Sequence, residues 1–336
     1  MNLRPAFIGL FFALALGSFW YFYEYKGGPE REKSKESAKL VFPELKGQEI
    51  VELSALIKDK QGYTLRKNGE AWSLSDPIEA AGDKSQISQS AEEIRDLKNE
   101  GVAIEKDADL KQFGLDPFYG SAAFKASSGA AGTLILGSDS PDGQYAYAMV
   151  SGKAAVFMVR NFSKARILKD LKAVRDKTVW SFSPSEVQKI DTSIGKGLKL
   201  EKDAQGAWAL VWPLKVKTRK TAVEDWLTQI NQLQIDGFVD EAGKDLKKYG
   251  LAAPATKCLV LTLKGDAKPL VLIQGSKAVL EGGGQGRYYR VQDRPLIFSM
   301  QEYRERMIEK KTEDLVEKKE ATPVPAAKAV KKTAKP

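Results

Sequence analysis

The chain has 336 residues, with 53 lysines and arginines against 44 aspartates and glutamates, a formal net charge of +9, one cysteine and no histidine. A single cysteine excludes an internal disulfide or a thiolate metal cluster, and the lack of histidine excludes Ser-His and Cys-His nucleophile pairs and the usual zinc sites. A length of this order suits two domains, and an apolar share of 43% is that of a globular protein.

The first element in chain order is Ala6 to Tyr23, 18 residues without a charge. As a helix it would span about 27 Å, close to the hydrocarbon thickness of a bilayer. Phe19, Trp20, Tyr21, Phe22 and Tyr23 crowd its far end, and such aromatics favour the headgroup level. A cleaved signal peptide would end in small residues instead. Residues 1–26 therefore read as a cytoplasmic stub and a transmembrane signal anchor. A strict count of Lys26, Arg31, Lys33, Lys35 and Lys39 against Arg4 favours the bulk of the chain inside. Large domains translocate largely regardless of charge, however, and the orientation chosen is N-terminus in and domains outside. Residues 27–45 are charged and read as a linker.

Residues 46–181 form the first unit. Val51, Leu53, Ala55 and Ile57 alternate as a strand with one buried face. Tyr63 to Lys67 and Ala71 to Ser75 make a hairpin, with Asn68-Gly69 as a type I′ turn. Asp83 caps a helix whose stripe is Ile87, Ala91, Ile94 and Leu97, with Gly101 as its stop. A small turn closed by Gly114 follows, then strands at 121–126, 132–137, 145–150 and 154–159, and a helix at 162–170.

The stretch Ala71 to Leu115 recurs without a gap 136 residues later, with 14 identities in 45 positions. Trp72, Leu74, Pro77, Gly114 and Leu115 return as Trp208, Leu210, Pro213, Gly250 and Leu251. The helix stripe returns as Val223, Leu227, Ile230 and Leu233, ended by Gly237. One fold unit is used twice, and what both copies keep serves the fold. Residues 182–308 form the second unit, with strands at 257–264, 269–275, 287–291 and 296–300 and a helix at 301–309. Residues 309–336, rich in Lys, Ala and Pro, read as a disordered basic tail. The fold class is α+β: two tandem copies of one largely antiparallel unit, preceded by a single N-terminal transmembrane helix.

No catalytic, cofactor-binding or metal-binding residues are expected. Cys258 lies in an apolar run and reads as a buried strand residue. Gly282-Gly283-Gly284-Gln285-Gly286 lacks the ending of a phosphate loop and reads as a hairpin tip. Trp72 and Trp208, being repeated, read as core. The candidate interaction patch combines Lys164, Arg166, Lys169 and Lys172 with Lys215, Lys217 and Arg219. Trp226, which matches Ser90 of the first copy, joins it as an aromatic that could face a partner or the other domain. A solvated face is the bland reading of these charges; contact with anionic lipid or an acidic partner is the sharper one.

The chain resembles the bacterial domain-of-unknown-function family 4340. The carriers are Trp72-Ser73-Leu74 with Pro77, Phe113-Gly114-Leu115-Asp116-Pro117, Ile135-Leu136-Gly137 and Tyr145-Ala146-Tyr147. In the second copy they are Trp208-Ala209-Leu210 with Pro213, Tyr249-Gly250-Leu251 with Pro254, Ile273-Gln274-Gly275 and Tyr288-Tyr289-Arg290. The second copy departs from the first by carrying its proline one residue later and Ala253 where the first has Asp116. The resemblance implies an extracytoplasmic protein anchored in a bacterial inner membrane, a companion of an ABC-type transporter related to gliding-associated permeases, and it brings no catalytic residues. The expected function is a non-enzymatic accessory or scaffold docked to a transporter permease, with no nucleic-acid partner. An envelope glycan or polyanion binder is the alternative, and a carboxylate-based hydrolase the weakest reading.

Overall fold

The computed structural model describes Tyr21 and residues 39–316, apart from 107, 195, 254, 266, 267 and 282. The expected anchor, Ala6 to Tyr23, lies outside the described residues but for Tyr21, as do Pro254, Gly282 and the tail from 317 onward. Among the described residues no helix is long and apolar enough to cross a membrane.

The chain divides between Asp176 and Lys177 into two compact units. Unit 1 comprises β1 (Ile50–Ile57), β2 (Tyr63–Asn68), β3 (Ala71–Asp76), β4 (Ala80–Ala81), α1 (Lys84–Arg95), β5 (Gly101–Ile104), β6 (Gly120–Ala126), β7 (Ala131–Asp139), β8 (Tyr145–Val150), β9 (Val156–Arg160), α2 (Asn161–Ile167) and α3 (Leu171–Val174). Its strands form one sheet in the order β4-β3-β2-β1-β6-β7-β8-β9-β5. Every pairing in it is antiparallel.

Unit 2 repeats this plan with β10 (Val187–Thr192), β11 (Leu198–Lys202), β12 (Trp208–Trp212), β13 (Val216–Lys217), α4 (Lys220–Asn231), β14 (Gly237–Asp240), β15 (Thr256–Leu263), β16 (Leu270–Val279), β17 (Gln285–Val291), β18 (Ile297–Gln301), α5 (Glu302–Ile308) and α6 (Thr312–Leu315). Its sheet order is β13-β12-β11-β10-β15-β16-β17-β18-β14, the same permutation as in unit 1. The duplication seen in the sequence is thus a duplication of topology.

In each unit the long helix connects the two edge strands of the sheet, so it must lie across one face. Its apolar stripe meets the sheet there: Ile87 and Ile94 are buried in the core of unit 1, and Val223, Leu227 and Ile230 in that of unit 2, each joined by a leucine two residues past the helix end, Leu97 and Leu233. Asp83 caps α1 as expected, its carboxylate accepting from the Gln86 N–H at 3.0 Å.

Several local readings are corrected. Gly101 and Gly237 do not stop their helices, which end at Arg95 and Asn231; each opens an edge strand. A Cβ on Gly101 would lie 3.2 Å from Met158 Cε, and one on Gly237 would lie 2.6 Å from Ser299 Oγ. These glycines therefore admit the neighbouring strand. In the first hairpin Asn68 pairs with Ala71, which leaves Gly69-Glu70 as the two turn residues. Gly69 alone has a positive φ, 58°, the pattern of a type II′ turn rather than I′.

The unit boundaries also move. Phe42 and Leu45, inside the expected linker, are buried in the core of unit 1. Val179 and Trp180, expected in unit 1, belong to the core of unit 2. Lys310 to Val316, expected as the start of the tail, carry α6, whose Leu315 is buried in that same core. Apolar residues spaced among charges give these segments something to bury.

Candidate functional site

Most residues that the two copies share are spent on the fold. Trp72, Leu74, Trp208 and Leu210 are buried, and the peptide bonds before Pro77 and Pro213 are both cis. The Gly-Leu element forms a latch. Gly114 and Gly250 adopt φ of 62° and 68°, which closes the turn so that the N–H of Leu115 donates to Leu110 O at 2.9 Å and that of Leu251 to Leu246 O at 2.8 Å. A Cβ on either glycine would stand 2.8 Å from the backbone nitrogen of Ser138 or Ser276. On the strand side, a Cβ on Gly137 would collide with Phe113 O and Leu115, and one on Gly275 with Tyr249 O and Leu251. Phe113 meets Tyr147 edge-on at 4.8 Å and Tyr249 meets Tyr288 at 5.0 Å. The motif pieces that stand apart in the sequence are therefore one contact.

The first basic run is occupied inside unit 1. Lys164 is buried; its Nζ donates to Gly137 O at 2.8 Å and to Asp139 Oδ1 at 2.7 Å and stands 3.9 Å from the Tyr119 ring centroid. Arg166 pairs with Glu93 at 3.1 Å. Lys169 donates to Gln86 O, Gln86 Oε1 and Gln89 Oε1 at 2.9, 2.9 and 2.6 Å. Burial holds its pKa below the usual lysine range. Lys172 is half-buried and partnered. Lys164, Arg166 and Lys169 tie α2 and the segment after it to α1 and the sheet.

Trp226 does not face outward. It is 0% exposed and its Nε1–H donates to Met307 O at 3.0 Å. In unit 1 the matching Ser90 is likewise buried and its hydroxyl donates to Arg166 O at 2.7 Å. Met307 and Arg166 occupy the same place, sixth, in α5 and α2. One inter-helix hydrogen bond is thus kept by two unlike side chains. The sequence held a signal for this: Val223, Trp226, Leu227 and Ile230 follow the i, i+3, i+4, i+7 pattern of a buried helix face.

The second basic run is different. Lys215, Lys217 and Arg219 are exposed on the hairpin of β12 and β13, at one edge of the sheet of unit 2. They stand among exposed apolar residues that the sequence reading passed over: Trp212 at 51%, Leu214 at 47% and Val216 at 37%. Alternation of apolar and basic residues from Trp212 to Lys217 was the available signal.

Glu70, Asp96 and Asp142 have carboxyl groups held below the usual range, by Lys84, Arg95 and the Ser140 hydroxyl respectively. No group of three or more metal-binding side chains converges among the described residues. Cys258 is buried, and burial pushes its thiol well up. A cleft of about 470 Å³ in unit 1 is lined chiefly by Leu40, Val41, Val102, Val150 and Phe157, with Lys39, Glu100 and Lys153 at its sides.

The two units define the class: a tandem pair of nine-stranded antiparallel α+β domains, each with a helix across its sheet. The profile of a family described as a domain of unknown function (DUF4340) matches residues 72–254 and again 208–333. The chain belongs to that family. No curated protein and no solved structure matches it.

Proposed function

We propose that this protein is a non-catalytic accessory subunit, held at the outer face of a bacterial inner membrane by Ala6 to Tyr23 and docked there to an integral membrane partner such as a transporter permease. The observation that carries the reading is the fate of the shared motifs. The Gly-Leu latch, the buried tryptophans and the inter-helix bond are absorbed in holding each unit together, so the duplication supplies two folded units rather than a repeated active site. The 18-residue uncharged leader supports a tether, and charge on a chain outside the cytoplasm gives no reason to invoke nucleic acid.

Crosslinking of the full chain in native membranes, followed by identification of what it captures, tests the reading. A membrane-embedded transporter component is the expected product. Exchange of residues 6–23 for an unrelated membrane helix separates the roles: retained partners locate recognition in the folded units. Recovery of the intact chain free of membranes, or turnover of a substrate by the purified protein, sinks the proposal.

A further inference from the structure

The β12–β13 hairpin of unit 2 exposes apolar surface that the fold does not require. Leu210 pairs with the buried Leu200, but Trp212 pairs with Lys199, because a bulge inserts an extra residue into β12. A bulge re-aims the side chains beyond it, and here it sends Trp212 to the same side as Lys199 and away from the core. Unit 1 has the same irregularity: Leu74 pairs with Leu65 and Asp76 with Thr64. The fold thus directs residue 76 or 212 outward in either copy, and only the identity differs.

The identities differ systematically. At the 136-residue spacing, Trp212, Lys215, Val216, Lys217 and Arg219 stand where unit 1 has Asp76, Glu79, Ala80, Ala81 and Asp83. No acidic residue lies between Trp212 and Val223. Among the described residues Lys215 and Lys217 have no ion-pair partner, and Arg219 donates to the carbonyl of Asp314 at 2.7 Å, which leaves its charge unpaired. Lysines alone would be explained as protection of an edge strand. Half-exposed tryptophan and leucine beside them work against such protection and need an occupant. The described chain ends beside the hairpin, where Thr218 bridges Val316.

We propose that this hairpin is a bilayer contact, in which Trp212, Leu214 and Val216 enter the headgroup region while Lys215, Lys217 and Arg219 meet the phosphates of anionic phospholipid. Aromatic and aliphatic side chains ringed by lysine and arginine are what interfacial elements present to such a surface. The contact rests on the accessory reading only in needing a nearby membrane; it would fix which side of unit 2 faces the lipid.

The test uses the full chain carrying Leu214→Cys labelled with an environment-sensitive fluorophore. Cys258 is fully buried, so the label reports one site. Vesicles rich in phosphatidylglycerol should shift the label to the blue and shield it from iodide, and vesicles of phosphatidylcholine should not. Lys215→Ala together with Lys217→Ala should lower the ratio of lipid-contacting to free hairpin about thirtyfold. The same label on Ala81→Cys in unit 1 should stay in water throughout. A label that remains in water with both lipids overturns the proposal, as does an equal shift in both. Shielding seen only in native membranes, never in protein-free vesicles, overturns it in favour of an acidic protein. Flotation of the chain with phosphatidylcholine vesicles reads the leader separately, so failure of the tether and failure of the hairpin are distinguishable.

Discussion

At the scale of the residue, two tyrosines link stability to pH. The Tyr63 hydroxyl donates to Lys169 O at 2.9 Å, and burial, then the nearby Asp170, raises its pKa. Tyr289 is likewise raised, chiefly by burial, and donates to Glu305 Oε2 at 3.2 Å. An unfolded phenol titrates near pH ~10. Below that, folded and unfolded states are both protonated and the contribution is fully present. Above it, the unfolded state loses a proton that the folded state keeps, so stability falls as pH rises toward the folded pKa. Denaturant unfolding should therefore show a midpoint that drops between about pH 9 and pH 11. Tyr63→Phe should cost unit 1 about 1 kcal/mol at neutral pH through the lost hydrogen bond and flatten the alkaline decline of that unit. A slope unchanged by Tyr63→Phe would assign the decline to other groups.

At the scale of the element, the latch between turn and strand makes a sharper claim than burial alone. Gly137 has no room for a methyl group against Phe113 O and Leu115, and Gly275 has none against Tyr249 O and Leu251. Gly137→Ala and Gly275→Ala should each destabilise their own unit by about 2–3 kcal/mol through overpacking, while Gly143→Ala, at an open loop tip with φ of 70°, should cost about 1 kcal/mol for the backbone alone. Urea denaturation of the three variants separates the cases; equal losses would refute a steric latch. Much at this scale was legible in the sequence. Period-2 and period-3.6 patterns located the main strands and the helix stripes, and the repeat confirmed them because two different sequences kept the same phase. What was not legible depended on contacts distant along the chain. Gly101 reads locally as a helix stop, yet its role is set by Met158 on the neighbouring strand. Lys164 reads as part of a charged face, yet Asp139 and Gly137 O, brought close by the sheet, take it inside. The outward turn of Trp212 depends on a bulge that only strand register reveals.

At the scale of the whole molecule, each unit carries its own core, and this makes the position of the cut testable. The core of unit 2 contains Val179, Trp180 and Phe182 at one end and Leu315 at the other. Trp180 is nearly fully buried, and its Nε1–H donates to Ile230 O at 3.1 Å, which closes the last turn of α4. The backbone of Val179 takes part too, its N–H donating to Leu233 O at 3.2 Å. None of the three has a counterpart inside the ungapped repeat, and the boundary at residue 182 drawn from that repeat severs Val179 and Trp180 from the core they serve. The fragment 177–316 should fold alone and unfold in one cooperative step, since a domain of this size can bury a sufficient core. The fragment 183–316, cut near the boundary drawn from the repeat, should be weaker by at least about 3–5 kcal/mol, the usual loss for removing a large buried aromatic. With total stabilities of about 5–15 kcal/mol for ordinary domains, that deficit leaves it marginal. Thermal unfolding followed by near-ultraviolet circular dichroism would compare them. Equal midpoints for the two fragments would mean that the segment from Val179 to Phe182 covers the core without stabilising it.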